Sequence, residues 1–250
     1  MDLAFRAPFV PIGPRRAFEG AVEQIAQRIR EGELVEGERL PSERELARAL
    51  RISRPTLREA VRVLADAGVV SVRTGPSGGI FVQSGYVPID LVRAKSEIRL
   101  SELGEVLEAR RLLEPNIAQL AAKRATPENL ERMAATVEGH KALMAGGDVL
   151  DQEDRFLQLD TQFHLELARA TGNGTIVGLM RQLLRQLEIG RDLALRLPPI
   201  PEWVIDVHER TVAALRSGDA AAIDQVMDEH LAAMERGWEQ ETGSKLPRSA

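Results

Sequence analysis

The chain contains no cysteine. That excludes disulfides and thiolate metal sites and fits a reducing compartment. Aromatic residues make up only 4% of the 250 residues, against 44% hydrophobic overall. A sizeable core is therefore available, built from aliphatic side chains. The abundance of Leu, Ala, Glu and Arg favours helices. No apolar run approaches the roughly 20 residues of a membrane span. The first 16 residues carry Phe5, Phe9, Pro8, Pro11 and Pro14 but no continuous apolar stretch, so they do not read as a signal peptide. The expectation is a soluble cytoplasmic protein without membrane contact, long enough for two domains.

Excess positive charge is also missing: the formal net charge is −5. The deficit is unevenly spread. Residues 1–85 hold 13 Arg and 11 Asp/Glu, a balance of +2, and the remaining residues carry −7. Only the first part is suited to face phosphate.

Seven arginines fall between Arg39 and Arg62. A helix is expected over 17–31, with Val22, Ile25, Ala26 and Ile29 on one face. Ser42-Glu43-Arg44-Glu45 has the form of a capping box and opens a second helix that runs to Leu50. Ser53 caps a third, with Pro55 in its first turn, ending at Gly68. Two β-rich runs, 69–72 and 80–82, flank the tip Gly75-Pro76-Ser77-Gly78-Gly79. Three helices and a hairpin make a winged helix-turn-helix over 17–83. Arg54 and Arg58 lie four apart on one helix face, and Arg44 begins the supporting helix. Arginines in the first turns of such a helix suit guanine edges in the DNA major groove. The bland alternative is a solvated face paired with Glu43, Glu45 and Glu59. Glycines at the tip let backbone approach phosphates closely.

A linker is expected over 84–96 and an all-helical domain over 97–240, with 1–16 an extension and 241–250 a tail. Breakers predict six helices, near 97–124, 127–145, 149–171, 174–197, 201–217 and 219–240. The fold class is thus mainly α: a winged helix-turn-helix followed by an antiparallel helical bundle, which places ligand sites between facing helices.

Asp160 and His164 share a helix face at i, i+4. His208 and His230 lie on the last two helices, 22 residues apart across the Gly218 turn. One Asp and three His suit a borderline divalent ion such as Zn²⁺, Ni²⁺ or Mn²⁺. Each histidine alone is more often an ordinary core or surface residue than a ligand. His140, beside Gly139 near a loop, is expected to be solvent-exposed. Of Arg110 and Arg111, one is expected to point inward, where a buried guanidinium needs an anion. The alternatives are a ligand and an internal pair with Glu114 or Glu108.

These residues carry a resemblance. "LPSERELARAL", "SRPTLREAVRVLADAGVV" and "GPSGGIFV" are similar to the DNA-binding domain of GntR-type bacterial regulators. "LGEVLEARRLLEPNIAQLAA", "DTQFHLELARATGN" and "HERTVAALRSGDAAAIDQVMDEH" resemble the FCD effector domain of the FadR subgroup. The resemblance implies DNA contacts by Arg44, Arg54 and Arg58, support from Thr56 and a wing tip at Gly79. It also implies a metal held by Asp160, His164, His208 and His230, and Arg110 as the residue holding an effector carboxylate. It makes an acyl-CoA ligand a poor fit, because the metal-free branch lacks the Asp/His set. The long N-terminal extension departs from the pattern.

The expected function is a homodimeric, ligand-responsive transcription regulator, such as a repressor, that binds a near-palindromic operator. A small organic acid would bind through the metal and Arg110 and shift the spacing of the two reading heads. The alternatives are a repressor that senses the metal alone, and a metal-dependent hydrolase fused to a DNA-binding domain. Asp160/His164 lacks the built-in base of a His-Glu-x-x-His helix, which argues against an enzyme.

Overall fold

The computed structural model describes residues 17–75, 78–92, 100–146, 152–189 and 201–246. The 1–16 extension, Pro76 and Ser77 of the wing tip, and positions 93–96 of the expected linker lie outside the described residues. The chain divides into two compact units, Met1–Ile29 with Leu34–Gly85, and Arg30–Glu33 with Tyr86–Ala250.

The first unit holds α1 (Ala17–Arg30), α2 (Glu43–Leu50), α3 (Arg54–Asp66), β1 (Val70–Arg73) and β2 (Gly79–Val82). The expected α1 face is the buried one: Val22, Ile25, Ala26 and Ile29 are all in the core. Local chemistry sets the helix starts. The Ser42 hydroxyl accepts from the Glu45 amide, and the Glu45 carboxylate accepts from the Ser42 amide at 2.9 Å. Ser53 accepts from the Thr56 amide to open α3. Between these helices Arg51 takes a left-handed conformation at φ 54°, so the turn is closed by a non-glycine residue. The strands pair antiparallel, Val70 with Val82 and Arg73 with Gly79. One feature is absent from the local pattern: Gly37–Leu40 lies along β2, with the Leu40 amide donating to Ile80 and the Val82 amide to Glu38. Long-range pairing of this kind leaves no signature in a short window.

The second unit holds α4 (Leu100–Ala122), α5 (Pro127–Ala145), α6 (Glu153–Arg169), α7 (Gly174–Ile189), α8 (Pro201–Ser217) and α9 (Ala220–Thr242). The six expected helices are present within a few residues at their described ends. One aliphatic core joins them, running through Leu103, Ile117, Met133, Leu165, Met180 and Met227. α4 packs on α6, α7, α8 and α9, and α5 packs on α6 and α8. Residues that face this core recur every three or four positions, so any polar residue on such a stripe is carried into the interior.

Candidate functional site

In the first unit the arginines expected to read DNA are exposed. Arg54 and Arg58 retain 58% and 60% side-chain exposure, and both lean on Glu43, at 3.3 Å and 3.0 Å. Burial alone would raise the Glu43 carboxyl. The hydrogen bonds from Arg58 and Arg54 outweigh it and hold the group below its ordinary value. Exposed pairs of this kind contribute little to stability. Glu43 therefore holds two cations together at small cost to their release. Glu45 is engaged in the capping box. Arg44 is exposed in the first turn of α2. The Thr56 hydroxyl lies 2.7 Å from the Ser53 hydroxyl, so it supports the start of α3.

Gly79 opens β2 opposite Arg73. The stricter glycine is Gly78: a Cβ there would run into the Arg73 carbonyl. Arg39 donates to the Gly78 carbonyl at 2.7 Å and so braces the hairpin end. Sequence reasoning counted Arg39 as charge and missed this role, which depends on the pairing of residues 37–40 with β2.

In the second unit three helices deliver polar side chains to one place. His164 on α6, His208 on α8 and His230 on α9 are buried, with ligand nitrogens within 4.8 Å of one another. Asp160 Oδ1 lies 3.5 Å from His208 Nε2 and 4.0 Å from His164 Nε2. The i, i+4 spacing of α6 puts Asp160 and His164 on the same face, as expected. His208 lies flat against Phe163.

The donor set fits a divalent ion. Among the described residues, neither ring nitrogen of His208 has a hydrogen-bond partner, nor does Nδ1 of His230. Buried polar atoms left unpaired cost roughly 1–3 kcal/mol each. Three imidazoles and a carboxylate around one point are the nitrogen and oxygen donors that Zn²⁺, Ni²⁺ or Mn²⁺ takes. Burial holds His208 neutral well below its ordinary pKa, aided by its histidine neighbours. His230 is pushed down to about 3, first by burial. Neutral imidazole is the form that ligates. Burial pushes the Asp160 carboxyl up, but His164, His230, His140 and the Arg110 charge outweigh it and keep it low.

Arg110 is the inward-pointing arginine of the expected pair. Its Nε donates to Glu114, its Nη1 reaches Met234 Sδ at 3.4 Å, and its Nη2 stands 3.3 Å from His164 Nε2. The internal pair with Glu114 is thus real, and the guanidinium still reaches the histidine cluster. Arg111, partly buried, bridges the buried Glu235 and the exposed Asp228 instead. Glu166 faces Arg132 and Arg169, and Glu209 faces Lys141.

His140 corrects the sequence reading. It was expected in solvent but has no exposed surface. Its Nε2 donates to the Phe156 carbonyl at 2.9 Å, and its ring lies 5.7 Å from that of His208. The loop that begins at Gly146, six residues on, was the wrong guide. Met133, Val137, His140 and Leu143 are all buried on one stripe of α5, and that periodicity places His140 inside. The same signal applies to Glu114, which sits on the α4 stripe with Leu103, Leu107, Arg110, Ile117 and Ala121.

Comparison with known proteins covers both units. Residues 18–82 match the family of bacterial regulatory proteins, gntR family, and residues 105–233 match the FCD domain. The Uxu operon transcriptional regulator of Escherichia coli is 35% identical over 206 residues, covering 78% of this chain and 76% of its own. The HTH-type transcriptional repressor NanR of Cronobacter sakazakii is 28% identical over 249 residues, covering 95% and 91%. The solved E. coli McbR/YncC structure shares the fold at a TM-score of 0.50 and 19% identity, covering 89% of this chain and 98% of that one. No helix among the described residues is long and apolar enough to cross a membrane. The chain belongs to the gntR family of bacterial transcription regulators, with a DNA-binding gntR domain followed by an FCD effector domain, and is not an enzyme.

Proposed function

We propose that the protein is a dimeric transcription regulator whose FCD domain holds a divalent metal and, through it, a small organic acid. Asp160, His164, His208 and His230 hold the ion. The observation that carries this reading is the set of buried histidine nitrogens without protein partners, gathered beside Asp160. The ion supplies net positive charge and open coordination positions. A carboxylate with a neighbouring hydroxyl, or a second carboxylate, can chelate at such positions. Arg110 faces His164 and offers N–H donors to acid oxygens beside them.

On the DNA side, Arg44, Arg54 and Arg58 contact the operator, with Thr56 supporting the start of α3 and the wing near Gly79 meeting the backbone. Two copies dock on the halves of a near-palindromic site. The acid regulates only if it binds two arrangements of the dimer with different affinity.

The test begins with elemental analysis of purified protein, followed by melting with and without chelator. Mass action makes metal loss lower the melting temperature of the wild type but not of a His208→Ala/His230→Ala variant. Calorimetry of metal-loaded protein against 2-hydroxy acids, sugar acids and dicarboxylates then reads the effector. Absence of any stabilising first-row ion overturns the metal centre. Metal-dependent operator binding that no acid alters would favour an ion sensor instead.

A further inference from the structure

We infer that Glu114 is a positioning residue that fixes the tautomer of His164, presenting its Nε2 lone pair to the histidine cluster. The consequence for metal affinity rests on the metal reading above; the tautomer does not.

Two contacts decide it. Arg110 Nη2 stands 3.3 Å from His164 Nε2. A guanidinium has donors and no acceptor, so Nε2 must accept and carries no proton. On the other side of the ring, Glu114 Oε2 lies 2.9 Å from Nδ1. A carboxylate beside a guanidinium has acceptors and no donor, so Nδ1 must carry the proton. The opposite tautomer would set N–H against N–H at one end and lone pair against carboxylate at the other. Both contacts lie in the interior, with His164 and Glu114 side chains 1% and 0% exposed.

Glu114 Oε2 and His164 Nδ1 are also two of the buried polar atoms that make no aligned hydrogen bond within the protein. Each is the other's nearest remedy. At 2.9 Å, one proton on Nδ1 aimed at Oε2 would satisfy both. An ion taking Nε2 asks for this same protonation state. It competes with Arg110 Nη2 for one lone pair and leaves untouched the Glu114 contacts to both residues. Carboxylates that hold the far nitrogen of a ligating histidine orient the ring and raise its basicity. Neither the i, i+4 pair on α6 nor the His208–His230 spacing points to Glu114. It comes from a different helix, one turn after Arg110.

The experiment uses the full chain labelled with ¹⁵N-histidine, freed of metal by chelation. Long-range ¹H–¹⁵N correlation reads the tautomer of each of the four histidines. Wild-type His164 is expected with its proton on Nδ1. In Glu114→Gln the amide oxygen turns to Arg110, and its NH₂ faces Nδ1. His164 should then move toward the Nε2–H form. Zinc affinity, measured by competition with a chromophoric chelator, should fall 10–100-fold in that variant. Glu108→Gln, an exposed change on the same helix, should bind zinc as the wild type does. A wild-type His164 protonated on Nε2 overturns the inference, as does undiminished zinc affinity in Glu114→Gln. If the wild type binds no metal, the metal reading falls, and the tautomer of His164 in the unaltered chain still decides the role of Glu114.

Discussion

Phe163 lies face to face on His208, with ring centroids 3.7 Å apart and planes 6° from parallel. Both side chains are fully buried, and among the described residues none holds a nitrogen of His208 by a hydrogen bond. The orientation of this imidazole is therefore set chiefly by stacking and surrounding packing, with Asp160 Oδ1 3.5 Å from its Nε2. Phe163→Leu keeps an apolar filler but removes the flat support. It should cost on the order of 1–2 kcal/mol of stability. It should also weaken zinc binding several-fold, because the ring gains freedom that the ion must then remove. Denaturant melts and zinc titration of the variant separate the two effects. Unchanged zinc affinity would mean that His208 is held by its other neighbours.

Arg58 and Glu43 should have opposite effects on DNA affinity. Arg58→Ala is expected to lose about 1–3 kcal/mol on the operator if the residue makes a bidentate guanine contact. Glu43→Gln removes the anion shared by Arg54 and Arg58 and should tighten binding to operator and random DNA alike. Fluorescence anisotropy on both sequences at fixed salt reads this. An equal loss on operator and random DNA by the Arg58 variant would assign the residue to phosphate.

Acidification should destabilise the metal-free protein. His230 has a folded pKa of about 3 against an ordinary 6.5, with burial as the first cause. His208 and His140 are lowered too, again chiefly by burial. A depressed folded value means that the unfolded chain takes up the proton first. The stability contribution is whole above about pH 6.5 and drains away as pH falls toward 3. For His230 alone the loss at pH 5 is about 2 kcal/mol. Urea melts of chelated protein between pH 7.5 and 5 should show this decline. A flat profile would mean that the buried histidines gain protons without unfolding.

Gly104 and Trp238 fix the approach of α4 to α9. A Cβ on Gly104 would stand 2.7 Å from the Trp238 ring. Alanine favours a helix by about 1 kcal/mol over glycine, whereas overpacking of a rigid ring costs about 1–3 kcal/mol. Gly104→Ala should therefore be destabilising by up to about 2 kcal/mol. The change should be much milder in a Trp238→Phe background, where the clashing edge is gone. Equal effects in both backgrounds would remove the contact from the explanation.

The helices, their caps and the α6 pair were legible in the sequence because each depends on residues within one or two turns. Ser42 with Glu45, Ser53 with Thr56, and Asp160 with His164 are all relations of this kind. The burial of His140 was legible but misread, because proximity to a loop was weighed above the apolar period of α5. The pairing of residues 37–40 with β2 had no local signal. Arg39 could not be assigned to the wing without it.

By itself, then, the sequence determined the order of the elements and the residue types presented on each face, since both follow from short-range geometry. Tertiary structure alone decided which faces meet. It set Glu114 against His164, Phe163 against His208 and Trp238 against Gly104, pairs separated by 50, 45 and 134 positions. It also decided that Arg110 answers to both a carboxylate and the histidine cluster. Sequence spacing already puts Glu114 within reach on α4, and only the packing of α4 on α6 and α9 brings the histidine cluster to the same guanidinium.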